Sequence, residues 1–244
     1  MGRSIWQSME LKGYSRREFL QFCAAAATAA DLGQAGVGQV VEAFETKEKV
    51  AVLWLHFHEC ACCSEAFTRA LHPVVADGLL DIRSLNYART LAAVSGLQAE
   101  ESLAEMVRDQ MGRYIVLVEG GIPTHEGDKT AEPALQRLAA NAAAVMSWGS
   151  CASGGCVQAA GHELIRSTPI GKLVNKPVIN VPGCPPIGDV MTNVVTHLLV
   201  SGQIPAAERI VRPKEHYGRR MHTSPLLQPR ASQDFEGAPL PMAN

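Results

Sequence analysis

No run of ~18 consecutive apolar residues occurs in this sequence, so no segment of it reads as a membrane-spanning helix. Neither sign of charge dominates. The 22 Lys and Arg stand against 24 Asp and Glu, a net charge of −2 that leaves no electrostatic footprint for nucleic acid. Aromatic residues make up only 5% of the chain, but apolar residues reach 47%, enough for a packed core and too many for a disordered chain. Cysteine is also scarce. Seven in 244 residues are too few for a small disulfide scaffold, and a chain this long needs none. The seven are unevenly placed, at Cys23, Cys60, Cys62, Cys63, Cys151, Cys156 and Cys184, and none follows.

The N-terminal segment is net positive, with Arg3, Lys12, Arg16 and Arg17 against Glu10 and Glu18. Ser15-Arg16-Arg17-Glu18-Phe19-Leu20 has the form of a twin-arginine export signal. The alanine-rich stretch after Phe22 is too short and too weakly apolar to span a bilayer, and Val41-Glu42-Ala43 offers small residues where a signal peptidase would cut. Residues 1–43 are therefore expected to form an export leader, with the mature chain beginning near Phe44 and keeping six cysteines. An amphipathic helix with an incidental arginine pair is the alternative.

Beyond the leader, short continuous apolar runs recur at Val50–Leu55, Tyr114–Val118, Ala143–Trp148 and Pro177–Val181, with a weaker one at Asp81–Tyr87. Such runs are expected of strands buried on both faces. Helical spacing is expected over 64–76, 97–111, 131–142 and 186–201; in the last, Ile187, Val190, Met191, Val194, Val195 and Leu198 share one face. Alternation of this kind predicts an α/β fold, a parallel sheet with helices on both faces. From about Thr223 the composition turns to Pro, Gln, Ser and Ala without periodicity, so 223–244 is expected to be an unstructured tail.

The cysteines fall at the carboxyl ends of these strands, the edge where open parallel sheets bind ligands. Cys60 follows the first strand, Cys151 the fourth and Cys184 the fifth. Gly149, Gly154, Gly155 and Gly183 beside them permit sharp turns that aim amide groups at anionic sulfur. Disulfides suit poorly, because Cys62 and Cys63 are adjacent and the other spacings form no framework. Zinc takes four ligands, usually as two balanced pairs, and six thiols converge here. An iron–sulfur cluster gathers thiolates from distant loops, and Cys60, Cys63, Cys151 and Cys184 supply four.

Three segments, His58-Glu59-Cys60-Ala61-Cys62-Cys63-Ser64-Glu65, Trp148-Gly149-Ser150-Cys151-Ala152-Ser153 and Val181-Pro182-Gly183-Cys184-Pro185-Pro186, resemble the small subunit of [NiFe] hydrogenases. Arg212-Pro213-Lys214 and Tyr217-Gly218 carry the likeness to about His222. The resemblance implies a flavodoxin-like domain over 44–222 whose Cys60, Cys63, Cys151 and Cys184 hold a proximal iron–sulfur cluster. It further implies a hydrogenase in which the nickel–iron centre lies in a separate large subunit, so that no catalytic residue belongs to this chain. Cys62 and Cys156 match the supernumerary positions of the oxygen-tolerant, membrane-bound uptake type. There the cluster is [4Fe-3S] with six thiolates rather than [4Fe-4S] with four. Glu119 matches a carboxylate close to that cluster, Glu59 falls on the motif beside the subunit interface, and Ala61 stands where many relatives carry threonine.

Relatives in that family continue into a second domain holding a medial [3Fe-4S] and a distal [4Fe-4S] cluster, and into a membrane anchor. His222 matches a histidine ligand of the distal cluster, but Pro225 stands where the next cysteine ligand falls. The expectation is a chain truncated or frame-shifted relative to the family, its 223–244 tail standing in place of that domain. The implied function is an uptake subunit on the periplasmic side of the cell membrane, passing electrons from H2 towards a cytochrome b and quinone. A regulatory hydrogen-sensing subunit and a non-enzymatic metal-binding remnant are the alternatives.

Overall fold

Three helices precede the first strand in a computed structural model of the chain, which describes residues 3–29, 32–47, 50–70, 85–88, 97–124, 130–160, 166–205 and 212–218. Helix α1 (Ile5–Leu11) starts at a reciprocal capping box between Ser4 and Gln7. Helix α2 (Arg16–Ala29) starts at a second one: the Glu18 carboxylate accepts from Ser15 N and Oγ, both at 2.7 Å, while Glu18 N donates to Ser15 Oγ at 3.3 Å. Ser15 and Glu18 thus supply a local reason for a helix to begin at the arginine pair. Helix α3 (Gly33–Thr46) follows.

The remainder alternates β1 (Val52–His56), α4 (Cys62–Thr68), β2 (Leu85–Ala88), α5 (Leu97–Asp109), β3 (Ile115–Glu119), β4 (Ile122–Pro123), α6 (Ala131–Ala140), β5 (Ala144–Trp148), α7 (Gly149–Gly154), α8 (Cys156–Ala159), β6 (Ser167–Thr168), β7 (Val178–Val181), α9 (Gly188–Ser201) and α10 (Lys214–Tyr217). Five strands form one parallel sheet in the order β2-β1-β3-β5-β7, and β4 and β6 pair as a short antiparallel ribbon. Every residue of β1, β3 and β5 is buried, as continuous apolar runs demand of strands covered on both faces.

Alternate residues divide the core in two. Trp54, Leu117, Met146, Trp148 and Val181 face a layer that includes Phe67 of α4 and Met191, Val194 and Val195 of α9. Leu53, Val116, Val118 and Val145 face Leu103 and Met106 of α5 and Leu135 and Leu138 of α6. The first layer also takes in the N-terminal helices: Phe19, Cys23, Ala27 and Val40 are fully buried and Phe44 nearly so. Phe22 stacks on Phe44 at 5.5 Å, and Lys47 Nζ donates to the Leu199 and Val200 carbonyls at the end of α9. The segment expected as an export leader is thus helical and packed on the domain.

The flavodoxin-like parallel sheet expected from the sequence is the one observed, with the four stronger strands placed within two residues. The weaker strand lies at Leu85–Ala88, and its expected start at 81–84 falls outside the described residues, as do 71–76 of the helix expected over 64–76. His222 and the 223–244 tail also fall outside them. Among the described residues, no helix is long and apolar enough to cross a membrane.

Candidate metal centre

Sheet register decides what lies at the carboxyl edge. His56 pairs with Glu119, Glu119 with Trp148 and Trp148 with Val181, so the last residues of four strands form one transverse row. Beyond that row each chain turns, and the turns carry the thiols. Cys60 and Cys184 are exposed, Cys62 and Cys151 half-buried and Cys63 buried. Cys62 shares a hydrogen bond with Cys60 and lies in the field of Cys184, while Cys63 lies in the fields of Cys60 and Cys151. Thiols from three strands therefore converge, as their position after β1, β5 and β7 predicts. Cys156 opens α8, seven residues after Gly149.

Close packing at this edge excludes side chains from two turns. Gly149 has φ +87°, and a Cβ there would come 2.5 Å from Cys63 Sγ. Gly183 has φ +149°, and its Cβ would strike the Pro186 backbone at 2.5 Å. Ser150 N donates to Gly183 O at 2.7 Å and Ser150 Oγ accepts from Gly183 N at 3.1 Å, which stitches the Cys151 and Cys184 turns together. The thiol of Cys63 donates to Trp148 O at 3.6 Å, and the buried indole Nε1 of Trp148 has no hydrogen-bond partner among the described residues.

Glu119, 1% exposed, sits beneath the first turn. Its carboxylate accepts from Cys63 N at 2.9 Å, Ser64 N at 3.3 Å and Ser64 Oγ at 2.5 Å, thereby holding the start of α4. Nδ1 of His56 lies 3.6 Å from Glu119 and 3.7 Å from Glu59. Glu59 in turn accepts from Ala61 N, in a turn where Ala61 takes φ +59°, a left-handed conformation unusual for a residue with a Cβ.

The electrostatics are those of an anionic site. Burial, then the charges of Glu119, Cys60 and Cys151, push the Cys63 thiol far above its ordinary range. The hydrogen bond with Cys60 and the neighbouring thiols and Glu65 push Cys62 up, and burial followed by Glu119 raises Glu59. Burial, hydrogen bonding and neighbouring negative charge thus all favour the protonated thiols; a multivalent cation would reverse that preference. Among the described residues, no three His, Cys, Asp or Glu stand close enough together to hold a single metal ion. The donor set and the Gly149 cradle around Cys63 fit an iron–sulfur cluster, which draws thiolates from distant loops.

Sequence reasoning placed the thiols and Glu119 at this edge, but it missed the Ser64 hydroxyl and the bridging position of His56. The only local signal for Ser64 is a hydroxyl in the first turn of a helix that follows a cysteine motif.

Residues 60–198 match the family described as NADH ubiquinone oxidoreductase, 20 Kd subunit. The uptake hydrogenase small subunit of Afipia carboxidovorans is 44% identical over 250 residues, covering 96% of this chain and 68% of that protein. That of Azotobacter vinelandii is 44% identical over 93% of this chain and 65% of its own length. The Hydrogenase-1 small chain of Citrobacter freundii is 42% identical over 90% and 60%. Among solved structures, the reduced, active Ni-Fe-Se hydrogenase from Desulfomicrobium baculatum superimposes with a TM-score of 0.68 at 27% identity, covering 77% of this chain and 78% of that one. The chain spans about two thirds of the length of the curated relatives it matches. On this sequence and fold evidence, the chain belongs to the hydrogenase small-subunit family.

Proposed function

We propose that this chain is the electron-carrying small subunit of an exported, membrane-associated uptake [NiFe] hydrogenase. It works with a large subunit that holds the nickel–iron centre and passes electrons towards a cytochrome b. Cys60, Cys63, Cys151 and Cys184 would hold a proximal iron–sulfur cluster, with Cys62 and Cys156 as additional ligands. When bound, that cluster supplies one-electron transfer. The convergence of thiols from three strand ends onto one edge, above a buried carboxylate, carries the reading.

The chain's own residues position and insulate. Glu119 fixes the first turn of α4 and so the direction in which Cys63 faces. The Ser150–Gly183 pair locks two ligand turns into one unit. Trp54, Phe67 and Trp148, packed with ring centroids 4.6–5.6 Å apart, close off the core from the edge. Added thiolate from Cys62 and Cys156 would favour more oxidised iron, because ligation and net charge set a cluster's potential.

Iron and acid-labile sulfide analysis with low-temperature EPR of the anaerobically purified complex tests the reading; the expected result is about four iron atoms per proximal site. Zinc without sulfide overturns it. Replacing Cys62 and Cys156 with glycine should leave H2 oxidation intact under nitrogen and make it oxygen-sensitive. Unchanged tolerance removes both from the ligand set.

A further inference from the structure

The N-terminal helices do more than precede the domain. Side chains from all three enter the same apolar layer as α4 and α9, and Phe19, Cys23, Val40 and Phe44 are buried as deeply as the sheet residues. Of the arginine pair, Arg16 is engaged: it pairs with Glu45 of α3, and its guanidinium lies 5.2 Å from the Trp6 ring and 5.1 Å from Phe19. Arg17 is exposed. The Ala43–Phe44 bond lies inside α3, with its two residues 5% and 1% exposed. Processing proteases cut exposed, extended chain rather than packed helix.

We propose that α1–α3 form an intramolecular cap, docked on the apolar face of α9, that withholds the Ala43–Phe44 bond from processing factors until the cap undocks. This rests on the reading of residues 1–43 as an export leader. The occupant of the face is named by the packing itself: Phe22 against Phe44, Lys47 on the end of α9, and an apolar layer continuous from Phe19 to Val195. Cap and gate follow from one geometry, because the contacts that bury Phe44 also bury the bond to be cut.

Cys23 reports on docking, since it is fully buried between α2 and the domain layer. The full-length chain is treated with iodoacetamide and modification of Cys23 is followed by peptide mass spectrometry, with urea-unfolded chain as reference. The wild type is expected to react at least tenfold more slowly than the Phe22→Asp variant. Amides of Ile115–Glu119 stay protected from hydrogen exchange in both, which separates undocking from global unfolding. Glu45→Arg, which unpairs Arg16 at the surface, is the milder second variant and raises Cys23 reactivity in the same direction. In cells, both variants shorten the lifetime of the uncleaved precursor. Wild-type Cys23 as reactive as in urea overturns the cap, and unchanged processing in an undocked variant overturns the gate. Arg17→Lys tests the leader reading separately, because Arg17 is exposed: it stops export while Cys23 stays protected. Export that survives Arg17→Lys sinks the leader reading and the gate with it.

Discussion

Cys23 and Cys63 are both buried thiols whose acidity burial suppresses, but their neighbours differ in kind. Around Cys23 the surroundings are hydrocarbon and aromatic, and Arg16 partly offsets the burial, leaving the thiol at about 12. Around Cys63 stand a carboxylate, two further thiols and a glycine turn whose missing Cβ makes room for sulfur. Burial is the larger influence on both thiols; at Cys63 the charges of Glu119, Cys60 and Cys151 add to it, whereas at Cys23 Arg16 works against it. Free cysteine behaves as a small hydrophobe in the first setting, and in the second it sits among groups that a bound cation would favour.

The largest separation of the two comes from replacing each with serine. Cys63→Ser should strip iron from the proximal site and abolish H2 oxidation by the assembled complex. Cys23→Ser should leave the iron content unchanged and lower stability by about 1–3 kcal/mol, the cost of burying a hydroxyl in an apolar layer. Iron analysis and urea unfolding of the two variants check this, and equal iron loss erases the distinction.

Glu119→Gln sharpens the comparison from the side of the anion. It keeps the shape but weakens the acceptor for Cys63 N, Ser64 N and Ser64 Oγ, and cluster retention should fall about 10–100-fold, as when an outer-shell partner of a metal ligand is lost. A chelator-challenge time course measures it, and retention equal to wild type would reduce Glu119 to a helix cap. A smaller gain is expected at the neighbouring turn, where Ala61→Gly removes a side chain from φ +59° and should stabilise the fold by about 1 kcal/mol, read as a rise in melting temperature.

The smallest effect is a pH slope. The folded state holds the Cys23 thiol at about 12 against an ordinary 9.0, so it favours the protonated form. Its contribution to stability is complete below pH 9 and lost as the pH climbs from 9 towards 12. Cys23→Val should flatten that part of the stability curve in urea titrations between pH 8 and 11; an unaltered slope assigns the alkaline loss to other groups.

The sheet was legible in the sequence because each central strand is a short, unbroken apolar run such as Ile115–Val118, and burial on both faces leaves no other pattern. The thiol edge was legible because the motifs begin where those runs end. Contacts across distance were not. Nothing local says that Ser64 will meet a carboxylate 55 residues away, or that Ala61 will turn left-handed, since both follow from tertiary closure of the first turn. The packing of the N-terminal segment was hidden for a similar reason. Its alanine-rich run carries no signal of what it will pack on, and its burial depends on a distant face supplied by α9.

The transverse row His56–Glu119–Trp148–Val181 also works as a ruler. Measured from it, Cys60 lies four residues out, and Cys151 and Cys184 three residues each. One residue of extended chain advances about 3.3 Å, more than the ~2.3 Å of a metal–sulfur bond. Adding or deleting a single residue in the links to Cys60 or Cys184 would therefore carry a sulfur out of a cluster's range while leaving the sheet untouched; the link to Cys151 runs into α7, where one residue advances only about 1.5 Å. Spacing here is counted in whole residues, and in the proposed ligand set the lengths of the turns matter as much as the cysteines they carry.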